Sequence, residues 1–312
     1  MSGSDDGGSG WWSCLLRPAL WAAVAYGAVR LIVWALIGRR KTNVTLRDRV
    51  VVVTGASSGI GRALSRRFHL AGAKLILAAR SIDKLQELCD ELKSENPRNP
   101  NPPSSHYLDL AEPNGIEQMA TLSPTGKIDV LVNNAGISVH GGCDETTIET
   151  HRRIMEVNYF GQIRITQELL PYFAESASIV AIGSVQGKIA IPYRSAYGAS
   201  KHAIHAYFDV FRAEHDSVHV LLVCPGYINT NLSQHALVGS GAVHGKSDAN
   251  LQTGMGADHA ADCIVRALQN GEEELVLSTL KPKAAIWLRY WWPDLYFWVM
   301  RKRAETEKHK TD

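Results

Sequence analysis

Val50-Val-Val-Val-Thr-Gly-Ala-Ser-Ser-Gly-Ile-Gly61 decides the fold. An unbroken apolar run meets a glycine-rich turn, and the turn opens a helix-like segment from Arg62 to Leu70. Four consecutive valines suit a central parallel strand buried on both faces. Gly55, Gly59 and Gly61 follow the spacing G-x-x-x-G-x-G, a relative of the dinucleotide fingerprint. Glycines there permit a tight turn. They also let the backbone around Ser57, Ser58 and Ile60 approach a pyrophosphate at the positive end of the helix. An ordinary strand-to-helix turn is the alternative; the strand, turn and helix in sequence favour a nucleotide.

Outward from this turn, other pieces fall in order. Leu75-Ile-Leu-Ala-Ala79 reads as a second buried strand and ends at Arg80. An acidic residue after this strand would grip ribose hydroxyls, whereas a guanidinium pairs with a 2′-phosphate, so NADP(H) is expected. A solvated surface arginine is the other reading. Asp109, closing a third strand expected over 106–108, can accept from an adenine amino group. Val130-Leu-Val-Asn-Asn-Ala-Gly136 is a fourth apolar strand whose end, Asn134, Ala135 and Gly136, suits packing against a cofactor. Asn158 interrupts the apolar side of a helix expected over 147–160. It either bends or caps that helix, or positions backbone and water beside Lys201.

Ser195-Ala-Tyr-Gly-Ala-Ser-Lys201 carries the chemistry, with Ser184 lying 13 residues before Tyr197. On a helix, positions i and i+4 share a face, which places the Lys201 ammonium beside the Tyr197 phenol. A nearby positive charge favours the phenolate and is expected to lower the phenol's pKa. Such a phenol exchanges a proton with a carbonyl or alcohol oxygen, and Ser184 can hold the same oxygen. Alone, the Tyr-x-x-x-Lys string is weak.

Thr54-Gly-x-x-x-Gly-x-Gly61, Asn133-Asn-Ala-Gly136, Asn158, Ser184, Tyr197-x-x-x-Lys201 and Pro225-Gly226, in this order and spacing, resemble the short-chain dehydrogenase/reductase family. The likeness covers about residues 48–280. It implies a doubly wound parallel α/β sheet of Rossmann type, with Asn158, Ser184, Tyr197 and Lys201 as catalytic tetrad. It also implies that Thr230 holds the nicotinamide carboxamide or the diphosphate. Gly183 departs from the pattern, since the family usually has a second serine there. The stretches 185–197, 199–203 and 225–233 are similar to a membrane-anchored subgroup associated with reducing acyl- or alkyl-dihydroxyacetone phosphate. A steroid or retinoid reductase is the runner-up, and a catalytically idle nucleotide-binding regulator is the rival of another class. The family often forms dimers through the helices near Asn158 and Tyr197.

A net charge of +2 gives no electrostatic case for nucleic acid. Five scattered cysteines and twelve histidines without ligand spacing give no disulfide framework and no metal site. Residues 1–18 read as a disordered start, and Ala19 to Gly38 as a transmembrane anchor of 20 residues with one charge, Arg30. That charge costs about 2.5–3.5 kcal/mol unless it snorkels or pairs. A cleaved signal peptide or an interfacial helix are the alternatives. Arg39, Arg40 and Lys41 after the stretch, against Arg17 before it, place the catalytic domain in the cytosol. The tail Lys308-His-Lys-Thr-Asp312 resembles a dilysine endoplasmic-reticulum signal, with the peroxisomal membrane as the other address. Asn43 and Asn231 begin glycosylation sequons. The loose, Gly- and His-rich stretch 227–258 is expected to be a substrate lid in which His235 and His244 face solvent. Residues 281–312 form an aromatic-rich helix over 284–300, with Trp287, Trp291, Trp292 and Trp298, followed by a basic tail. That helix either packs on the core or contacts a membrane and admits a lipid-like substrate.

Overall fold

The computed structural model describes residues 44–308 apart from 113, 231, 233–235, 244 and 246–252, together with residues 20, 21, 24–29 and 32. The chain divides into two units, Met1–Thr42 and Asn43–Asp312. Among the described residues no helix is long and apolar enough to cross a membrane, so the expected transmembrane span is not seen. Most of 19–38 lies outside the described residues, as do Asn43, Asn231, His235, His244 and residues 309–312.

Seven parallel strands form the main sheet of the second unit: β1 Val50–Thr54, β2 Lys74–Ala79, β3 Ser104–Tyr107, β4 Ile128–Asn133, β5 Phe173–Ile182, β6 His219–Pro225 and β7 Glu274–Leu277. Their order across the sheet is β3-β2-β1-β4-β5-β6-β7. Among the described residues of this unit the α-helices are α1 Gly59–Leu70, α2 Ile82–Glu95, α3 Ile116–Thr121, α4 Ile148–Met155, α5 Gly161–Leu169, α6 Ser195–Glu214, α7 Ala257–Gln269, α8 Leu280–Trp291 and α9 Pro293–Lys308. The valines of β1 are all buried, as their continuous run predicts. Val51 and Val53 face Leu64 and Phe68 of α1 and Ile264 of α7. Val50 and Val52 face the other way, toward Ile165 of α5 and Phe208 of α6. Full burial of one such side chain contributes about 1.5–3 kcal/mol, so β1 ties both helical layers to the sheet.

The chain leaves β1 toward β2 and β3, then returns to pair β4 on the opposite side of β1. That reversal opens a crevice beyond the carboxyl ends of β1 and β4, where ligands of such sheets bind. Three expectations shift. The third strand is Ser104–Tyr107 rather than 106–108, because it is a partly exposed, polar edge strand without an apolar period. The helix expected over 147–160 starts on its Thr147 cap but runs on through a π-helical turn, Glu156–Phe160, into α5. The single helix expected over 284–300 is two, α8 and α9. Pro293 disfavours helical backbone at Trp292 and then serves as the first residue of the next helix.

Candidate active site

The glycine turn is built by close approach. Gly55 and Gly59 have φ of 64° and 54°, which L side chains rarely adopt. A Cβ on Gly61 would collide with the Gly55 carbonyl and lie 2.5 Å from Asn134 Nδ2. Thr54 Oγ1 donates to Val132 O and accepts the amides of Asn134 and Ala135 at 3.0 and 3.1 Å. Asn134 Nδ2 donates to Thr54 O and Gly55 O. The side chains of Thr54 and Asn134 therefore brace β1 against β4 and shape the turn. Ile60 packs partly on the core, and Ser58 caps α1 by position with no side-chain cap bond. No acidic residue sits in the first turn of α1, so its positive end is uncompensated.

The remaining cofactor candidates follow the carboxyl ends of β2, β3, β4 and β6. Thr230 reaches the glycine turn from beyond β6, its methyl 3.2 Å from where a Gly59 Cβ would stand. Pro225 ends β6, and the Gly226 amide donates to Leu277 O. Arg80 follows β2 at the entry to α2, exposed and with no side-chain bond among the described residues. Asp109 Oδ1 accepts from Ala111 N, forming a turn at the sheet edge. Ala135 O accepts from Gln162 Nε2, and a Cβ on Gly136 would meet Asn158 Oδ1 at 3.1 Å and Lys201 Nζ at 3.8 Å.

The four catalytic candidates come together at the ends of β4 and β5. Ser184 follows β5, its Oγ accepting from Gln186 N at 3.1 Å and donating to Pro225 O at 3.5 Å, near enough to the Tyr197 phenol to lower its pKa. Tyr197 is 8% exposed, in the first turn of α6. Lys201 lies one turn on, with Nζ donating to Ile182 O at 2.9 Å and standing 5.7 Å from the Tyr197 ring centre. Asn158 is fully buried in the π-helical turn, a feature common at functional sites. Its Oδ1 accepts from Ile137 N while its Nδ2 donates to Ile137 O and Ser200 Oγ. Both readings of Asn158 hold in part: the helix is distorted there, and the amide clamps the Ile137 peptide beside Gly136 and Lys201.

The expected lowering of the Tyr197 pKa is not what the geometry gives. Burial pushes the phenol up, and the Ser184 hydrogen bond and Arg194 only partly oppose it. Lys201 points at a carbonyl and is itself pushed down to about 8 by burial. The i,i+4 spacing places the pair correctly but carries no information about the dry surroundings. Sequence reasoning also missed Ser200, Gln162 and His205. Ser200 and His205 stand three and eight residues beyond Tyr197 on the same helix, a periodicity that could have marked them.

The sequence pattern of the short chain dehydrogenase family matches residues 49–238. Dehydrogenase/reductase SDR family protein 7-like of Anopheles gambiae is 43% identical over 302 residues, covering 95% of this chain and 94% of that protein. Dehydrogenase/reductase SDR family member 7B of Danio rerio is 42% identical over 290 residues, covering 90% and 94%. Among solved structures, an alcohol dehydrogenase from the archaeon Thermococcus sibiricus, complexed with 5-hydroxy-NADP, superposes with a TM-score of 0.64. It is 26% identical and covers 75% of this chain and 97% of that one.

Proposed function

This chain belongs to the short-chain dehydrogenase/reductase family of oxidoreductases, and we propose that within it the protein is an NADPH-dependent carbonyl reductase working at a membrane on a lipid-like ketone. The buried grouping of Ser184, Tyr197 and Lys201, with Lys201 Nζ 5.7 Å from the Tyr197 ring centre, carries the reading.

The residues fit the cofactor. The turn from Gly55 to Gly61 is a cradle that side chains would fill, and it leads into an uncompensated helix start. It would hold the diphosphate, with Thr230 against Gly59. Arg80 would pair with the 2′-phosphate, Asp109 with the adenine amino group and Lys201 with the nicotinamide ribose. The bound cofactor supplies the hydride. Tyr197 then gives its proton to the substrate oxygen, which Ser184 holds. A phenol whose pKa is raised by burial is protonated at neutral pH and so suits the donating, reductive direction. The Lys201 ammonium is charged below about pH 8 and offsets negative charge developing on that oxygen. Asn158 keeps the Ile137 peptide fixed beside this group.

Support for a membrane and an apolar substrate comes from α8 and α9. Trp287, Tyr290, Trp291, Trp292, Phe297 and Trp298 are exposed, and Lys281, Lys283 and Arg301 are exposed cations on the same helices. Aromatic rings with cations beside them suit an interfacial depth. Tyr193 donates to Ala304 O, Tyr296 to Ala190 O and Arg303 to Tyr227 Oη, so these helices are tied to the segments before Tyr197 and after Pro225. That placement suits a substrate reaching Ser184 and Tyr197 from an apolar surface. The substrate class is an acyl- or alkyl-dihydroxyacetone phosphate, with a retinoid or steroid carbonyl as the second choice. The endoplasmic-reticulum address is proposed from the charge pattern and tail alone.

Detergent-solubilised protein tested with NADPH and NADH against acyl-dihydroxyacetone phosphate, all-trans-retinal and a ketosteroid decides between these readings. Turnover of the lipid phosphate with NADPH is the expected result. No cofactor oxidation with any ketone would leave the idle nucleotide-binding regulator as the better account.

A further inference from the structure

Gly183 and Gly187 flank Ser184 and share one neighbour. A Cβ on Gly183 would overlap His205 Nε2 and lie 2.8 Å from its Cδ2. One on Gly187 would overlap the same ring, 2.5 Å from Nδ1. His205 is buried on α6, one helical turn beyond Lys201 and two beyond Tyr197, on the face that carries both. Its Nε2 stands 3.3 Å from the Ser184 amide, which donates to it, with Cys224 Sγ 3.9 Å away. An amide nitrogen only donates, so Nε2 carries no proton and the neutral ring holds its proton on Nδ1. Burial, then Lys188, Lys201, His202 and Arg212, push His205 down to about 3, which keeps the ring neutral near physiological pH.

Gly183 is also the one position where the chain departs from the serine its family usually places before the catalytic one. The structure supplies a reason: a serine Cβ does not fit against this imidazole. We infer that His205 is the positioning residue for Ser184, and that Gly183 and His205 form a matched pair. The glycine makes room for the ring, and the ring fills the space behind Ser184 and holds its peptide. The Ser184 hydroxyl thereby keeps its place against the Tyr197 phenol. This inference rests on reading Ser184 as the group that orients the substrate oxygen.

Five proteins test it: wild type, Gly183→Ser, His205→Ala, their double variant and His205→Gln. The readouts are NADPH-dependent reduction of 9,10-phenanthrenequinone and NADPH affinity by fluorescence. Displacing Ser184 by a fraction of an ångström is expected to lower kcat by about 10- to 100-fold in Gly183→Ser, with NADPH affinity within about twofold. Once His205 is Ala, adding Gly183→Ser should cost nothing further, a coupling of about tenfold or more. Independent, multiplicative losses would overturn the pairing. His205→Gln retains an acceptor and should recover most of the kcat lost in His205→Ala. If Gln and Ala are equal and kcat follows only thermal stability, the ring is a filler and the positioning role is wrong. Hydrogen exchange of the segment 183–187 in the same proteins gives the coupling without turnover. A wild type that reduces no carbonyl compound would therefore defeat the proposed function, while exchange still decides on His205.

Discussion

The glycine turn and the C-terminal helices hold their parts of the molecule by opposite means. Around Gly55–Gly61 the bracing is internal: Thr54 and Asn134 engage one another and the backbone, and added atoms have nowhere to go. In α8 and α9 the attachment rests on the buried Tyr296 and a few side-chain bonds, and large aromatic rings face outward. The first region has one workable shape, set by backbone. The second offers apolar area whose details can change with little effect on the sheet. In our reading, hydride chemistry is assigned to the rigid region and choice of substrate to the loosely tied one.

The sharpest way to break that division is at the rigid end. Tyr197→Phe removes one hydroxyl and should lower turnover by about 10²- to 10⁴-fold while NADPH fluorescence titration shows normal binding. Turnover near wild type would remove Tyr197 from the chemistry.

Acid stability comes next. His205 is held near 3 in the fold against 6.5 as its ordinary value. Between those values the unfolded chain binds a proton that the folded one does not, so this group costs stability progressively as pH falls from 6.5 toward 3. One pKa unit is about 1.4 kcal/mol, so the whole effect is a few kcal/mol. Urea midpoints followed from pH 7 to pH 4 should fall less steeply in His205→Gln than in wild type; parallel curves would contradict the burial argument.

Arg80→Ala probes the cofactor end more gently. Loss of a phosphate partner should raise the KM for NADPH about tenfold, near 1.4 kcal/mol, and leave NADH unchanged. Equal effects on both cofactors would mean that Arg80 does not read the 2′-phosphate. The smallest effect belongs to the C-terminal helices. Tyr296→Phe removes the bond to Ala190 O and should cost about 1 kcal/mol. Limited proteolysis of α8–α9 should then quicken, with reduction of a water-soluble ketone unchanged.

How much of this was legible in the sequence depends on the signal each residue carries. The buried valines announced a central strand because burial on both faces leaves no room for alternation. The glycine spacing marked the tight turn at the end of β1, where Gly55 and Gly59 take positive φ. β3 was misplaced by two residues because an edge strand made of Ser104, Ser105, His106 and Tyr107 has no apolar period to read. The break at Pro293 was present in the sequence but masked by the aromatic run on either side. The Tyr197 pKa went the other way because spacing along a helix reports neighbours but not solvent. His205 stayed hidden since its meaning lies in two glycines that come together with it only in the fold.

The π-helical turn at Glu156–Phe160 also sets the phase of a rod. One extra residue per turn rotates the downstream helix by about 100° relative to an unbroken α-helix. Ile154 of α4 thus packs beside Tyr197, while Ile165 of α5 packs into the sheet's core. Deleting a single residue from that turn would bring the two halves back into step and pull one of them off its partner. The wide turn is therefore a gearing between the catalytic helix and the sheet, and its length is as much a determinant of the site as any side chain in it.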